Sequence, residues 1–158
     1  MIQLAIFKLN NDTLYGIDVK NIIAFIVKED ANINFTPSTT PIIEGIATIR
    51  GEPSPIINLD KWINEDNFNR TDLFHKLIIQ SNISNKVVSL LVQDVVGIYD
   101  IEDNNTNNLE SNNKVSFVCY AMVDNKKELC VVLNYDNMLK GLNLLSNKEK
   151  VKENIENS

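Results

Sequence analysis

Outside its lysines and carboxylates, the chain has few residues able to do chemistry at a single point. Its 158 residues include one histidine (His75), two cysteines (Cys119 and Cys130) and two arginines (Arg50 and Arg70). A Ser-His-Asp triad would have to use His75, yet no serine stands in a nucleophile-elbow context. One histidine and two cysteines lack the spacing and the fourth ligand of a zinc site. No Walker loop is present, and no GxGxxG follows a strand. Glu102, Asp103 and Glu110 fall in polar stretches of the kind that form solvated faces. The pattern points to a binding or scaffolding protein without metal or cofactor, not to an enzyme.

The two cysteines lie in apolar surroundings on either side of a turn signal. Buried thiols in a reducing compartment are the first reading, and a disulfide across the hairpin is the alternative. The N-terminal "MIQLAIFKLNNDTLYGI" has neither a basic leader nor a small-residue cleavage site. No stretch approaches the ~18 apolar residues of a membrane helix. A cytoplasmic protein with no direct membrane insertion is expected. The formal net charge of -6 argues against nucleic acid and against an electrostatic membrane anchor.

The most structured stretch is "IIEGIATIRGEPSPIINL", Ile42 to Leu59. Gly45 permits a close backbone approach or a bulge. Gly51 can take positive φ at little cost. Pro53 and Pro55 lack ladder donors and suggest an edge strand or a bulge. Arg50 then stands at a strand end beside a fixed turn, where its planar fork can pin carbonyls or reach a partner carboxylate. Glu44 and Glu52 are its candidate local partners. Trp62 reads as core or rim packing.

The elements that would position these residues have period two. "IQLAIFKL", Ile22 to Val27, "GIATIRG", "SPIINL", "HKLIIQS" and "KVVSLLVQDVVGIYDIE" read as strands. "LYGIDVKNI" begins as a strand that Gly16 breaks, and Asp18 can cap a helical turn carrying Val19 and Ile22. "NINFTPSTTP" reads as a loop or edge segment, and "DKWI" as a turn capped by Asn58 or Asp60. "VSFVCYAMV" and "ELCVVLNY" form a hairpin around "DNKK". "DNNTNNLESNN" reads as a polar loop and "DNMLKGLNLL" as a short helix. About ten short strands with close turn signals predict an all-β sandwich or barrel. Composition agrees, with 44% hydrophobic and 23% charged residues.

Pro41, Ile42, Ile43, Gly45, Ile46, Ile49, Arg50, Gly51, Pro55, Ile56, Ile57, Asn58 and Leu59 together resemble the signature of the CheW family of chemotaxis adaptors. "LYGIDVKNI", "VVSLLVQDVVGI" and "LCVVLNYDNML" are similar to other family segments, and the resemblance covers roughly residues 3–142. "IEGIATIRGEPSPIINLDKWI" is especially similar to the adaptor domain of CheV. The chain departs from the family pattern at Ala24, Ser89 and Gln93, at the extra Pro53, and around Cys119 and Ala121.

The resemblance implies two five-stranded, SH3-like barrel subdomains sharing an apolar interface. Together they form one CheW-like domain over 1–145, followed by a charged tail over 146–158, helical or disordered, that can serve as a linker. It implies a non-catalytic adaptor joining chemoreceptor cytoplasmic tip helices to the regulatory domain of a histidine autokinase, with self-association in arrays. Val19 and Ile22 match apolar positions of a groove between the barrels, and Val95 and Ile98 match the facing strand. Gly45, Arg50 and Gly51 match the signature turn. A divergent module serving another two-component or self-assembling system is the alternative.

Overall fold

The computed structural model describes residues 2–9, 12–35, 42–63, 76–83, 85–102, 106–107 and 114–134. His75, Arg70, the expected helix over 136–145 and the tail over 146–158 lie outside them.

The first sheet uses both ends of the described chain. β1 (Ile2–Lys8) pairs antiparallel with β2 (Leu14–Asp18). Much later come β9 (Asp94–Ile101), β10 (Thr106–Asn107), β11 (Val115–Val123) and β12 (Lys126–Leu133). The strand order is β10-β11-β12-β2-β1-β9. The second sheet is inserted between β2 and β9. It holds β3 (Ile22–Val27), β4 (Asn32–Phe35), β5 (Ile43–Ile49), β6 (Glu52–Ile57), β7 (Leu77–Ile83) and β8 (Lys86–Val92). Its order is β3-β7-β8-β6-β5-β4. One short helix, α1 (Leu59–Ile63), follows β6. Each sheet thus has six strands, although β10 contributes only two residues. That short strand lies within the stretch read from sequence as a polar loop.

Three apolar clusters explain the continuous hydrophobic runs. In β1, Leu4 and Ile6 face the interior of the first sheet, with Leu14, Ile101, Cys119 and Val132. Ala5 and Phe7 face the other way, into a core shared with Ile57, Ile79, Leu90 and Trp62 of the second sheet's segment. β6 to β8 repeat the arrangement, with Ile56, Ile78 and Leu91 in the second sheet's own interior. A strand buried on both faces reads as an unbroken apolar run instead of an alternation. The shared core makes the two subdomains one packing unit. Trp62, 7% exposed, belongs to it.

Two sequence expectations change. Gly16 does not break β2. It pairs with Ile6 on one side and Val132 on the other. A Cβ there would lie 3.0 Å from the Cys130 sulfur, so the glycine makes room for a neighbouring strand's side chain. β6 is not an edge strand, since it lies between β5 and β8, and the irregularity falls in β5, between Ile43 and Gly45. The prolines fit for a positional reason. Pairs alternate from the hydrogen-bonded Ile49–Glu52 that flanks the turn, so Pro53 and Pro55 fall at non-hydrogen-bonded pairs with β5. Their other side meets none of the described strands, because β8 pairs with Ile56 and Ile57 beyond them.

Candidate functional site

Asp18 does cap the turn that follows β2. Its Oδ1 accepts from the Lys20 backbone N–H at 3.0 Å, and Val19–Asn21 form one 3-10 turn. The turn carries Val19 onto the shared core and delivers Ile22 to the start of β3, also against that core. On the far side of β1, β9 presents Val95 opposite Phe7 and Ile98 opposite Ala5. The register shift between Ile6 and Phe7 puts Val95 and Ile98 on one face despite their odd spacing. Val95 packs on the shared core, whereas Ile98 is 48% exposed.

The signature stretch forms the β5–β6 hairpin. A Cβ on Gly45 would fall on the Asn34 carbonyl oxygen and lie 2.8 Å from the Phe35 Cα, so β4 leaves no room for a side chain. Gly51 is different: nothing would meet its Cβ, and its φ of 81° is what calls for glycine. Arg50 is the other central residue of the turn, and its φ is 52°. Positive φ at both positions makes this the mirror-image turn that matches strand twist.

Arg50 is out of type for that position. The other non-glycine residues with positive φ among those described are Asn85, Asp124 and Asn125. Asn and Asp tolerate the left-handed region because a short polar side chain can bond locally. Arginine has no such relief. Glu44 is not its partner: that carboxylate accepts from Asn58 Nδ2 and lies 4.0 Å from Lys61 Nζ. Arg50 makes no ion pair among the described residues and is exposed. With Glu52, Asp30 and Gln80 it borders a cleft of about 500 Å³ whose wall is β3.

That wall is apolar on its outer face. Ile23, Phe25 and Val27 are 50%, 41% and 48% exposed, while Ile26 packs inward on the second sheet's core. Among the described strands β3 ends the sheet, and one of its backbone edges meets none of them. Arg50 therefore stands beside an exposed apolar strand face, an arrangement suited to a protein partner with an apolar ridge and a carboxylate. The run "IIAFIV" carried the signal for this face, because both its odd and even positions are apolar.

The hairpin is anchored by Asn58, which is fully buried. Its N–H donates to the Ile42 carbonyl at 2.7 Å. Its Oδ1 accepts from the Lys61 N–H at 3.1 Å, capping α1. Ser89, a departure from the family pattern, is buried and shares a 2.6 Å hydrogen bond with Ser54 of β6. It is an interior substitution and leaves the surface unaltered. Gln93 is exposed, and Ala24 borders the Arg50 cleft.

A model of the CheW-like domain matches residues 3–143 of this sequence. The chain belongs to the CheW-like family. That places it among chemotaxis adaptors and scaffolds. The crystal structure of the scaffolding protein TtCheW from Thermoanaerobacter tengcongensis is similar, with a TM-score of 0.66 at 22% identity. The match covers 84% of this chain and 88% of that one. Such identity supports the shared CheW fold, which among the described residues is two curled sheets with one short helix. No curated protein matches the sequence.

Proposed function

We propose that this CheW-like chain is a non-catalytic adaptor that joins chemoreceptor cytoplasmic tips to the regulatory domain of a histidine autokinase within a signalling array. The family match over residues 3–143 carries this reading. The Arg50 cleft supports it, since an arginine held against its backbone preference beside exposed Ile23, Phe25 and Val27 suits docking more than architecture. Val19, Ile22 and Val95 add a partly buried apolar rim along the joint between subdomains, with Ile98 exposed beyond it. Array membership would place a protein of this kind at membrane-bound receptors without inserting into the bilayer. Among the described residues no helix is long and apolar enough to cross one.

Titration calorimetry against the kinase regulatory domain and a receptor-tip hairpin from the same organism tests the proposal. Saturable binding to either is expected. A folded protein that binds neither would overturn it and favour a module serving another system, the reading to which Gln93 and Ala24 would then belong.

A further inference from the structure

Cys119 and Cys130 stand directly opposite each other on β11 and β12, and both are free and fully buried. Counting from the Asp124–Asn125 turn, they form a hydrogen-bonded pair, whose Cα atoms lie about 5.5 Å apart. A disulfide spans that Cα separation, but the Cβ atoms of such a pair lie roughly 4.5–5.5 Å apart against the ~3.5–4.5 Å a disulfide needs, so closing the bond draws the two strands together and leaves it strained and easily reduced. Both side chains lie in the same buried apolar cluster. Gly16, on the strand next to β12, leaves the Cys130 sulfur its space.

We infer that Cys119 and Cys130 are a dithiol modification site that a small hydroperoxide converts to a disulfide. The Cys119 thiolate attacks the peroxide and breaks its O–O bond. This forms a sulfenic acid and releases water (or the corresponding alcohol) once the leaving oxygen takes a proton. The Cys130 sulfur then attacks the Cys119 sulfur, its proton leaves with the hydroxyl as water, and the S–S bond forms. Two thiols lose two electrons and the peroxide gains them. Contact with Cys130 lowers the Cys119 thiol against the opposing effect of burial, and contact with Cys119 together with burial raises Cys130. The order of the steps follows that direction, and the facing register lets Cys130 resolve Cys119.

Packing selects the oxidant. Leu4, Phe117 and Val132 pack in the same cluster as the thiols and also line an open cleft of about 320 Å³. The cleft thus borders the cluster that holds the sulfurs, which favours a small reagent over a bulky one. The tight fit at Gly16 leaves no volume for a glutathionyl group.

The test treats the native full chain with hydrogen peroxide, then counts thiols after denaturation and maps peptides. The expected result is joint loss of both thiols, a Cys119–Cys130 linked peptide, a monomer throughout, and full recovery with dithiothreitol. The Cys130→Ser variant should stop at a sulfenic acid on Cys119 that dimedone traps. Stable higher oxides on either sulfur, intermolecular dimers, or thiols that react only after unfolding would overturn the inference. The wild-type thiol count decides the matter even if the variant fails to fold.

Discussion

Arg50 holds a conformation that strains most side chains, and the hairpin would close more easily without it. A non-glycine residue in the left-handed region gives up roughly 1–2 kcal/mol unless its side chain offers compensation. Arg50→Asn should therefore leave Tm unchanged or raise it, while weakening partner affinity by about 1.5–3 kcal/mol if a charge-assisted hydrogen bond is lost. Thermal melting beside calorimetry separates the two effects, and a fall in Tm with unchanged affinity would make Arg50 architectural. The signature glycines should part company in the same way. Gly45→Ala drives a methyl into the β4 backbone and should destabilise by about 1–3 kcal/mol as overpacking does. Gly51→Ala meets nothing and should lose only the left-handed penalty, roughly 1 kcal/mol. Chemical denaturation of the two variants reads the difference.

At the level of elements, the hairpin, α1 and the Glu44 bulge are tied at one residue. Asn58 accepts from the helix, donates to Glu44 and donates its N–H to Ile42. Aspartate could keep the cap. In this chain, however, it would set a second buried carboxylate beside Glu44. Asn58→Asp should lower stability at neutral pH by more than the ~1 kcal/mol of a lost cap. It should regain part of that loss as pH falls and one of the two carboxyls protonates. Denaturation midpoints across acidic to neutral pH test this, and a pH-independent deficit would refute it. β3 offers the functional counterpart. Phe25→Ser removes exposed apolar surface and should leave Tm nearly unchanged while reducing affinity for a partner that uses the Arg50 cleft. Calorimetry with the kinase regulatory domain checks it.

The whole molecule is two sheets joined by a core to which both contribute. Phe7 lies in that shared core, fully buried, with its ring 6.0 Å from Tyr15. Phe7→Ala should cost about 3–5 kcal/mol. Both sheets should still melt together, because neither has a face that can be left uncovered. Two separated transitions would show the sheets to be independent. The insertion of the second sheet between β2 and β9 gives the same expectation from connectivity, since the first sheet closes only after the whole insert has been threaded.

The sequence by itself carried what depends on local order. The signature hairpin, the Asp18 cap, a cap for α1 at Asn58 or Asp60 and the β11–β12 hairpin were legible, because turn chemistry and capping act over a few residues. The tertiary structure decided what depends on neighbours brought from afar. Gly16 looks like a strand breaker until Cys130 is seen against it. Ser89 is only a departure from the family pattern until Ser54 is found 2.6 Å away. Glu44 looks like a partner for Arg50 until Asn58 takes it. Pro53 and Pro55 look like edge residues until the short β6–β8 pairing leaves their side of an inner strand open. Strand register sets each of these contacts, and register is chosen by the packing of whole sheets, which no local stretch of sequence contains.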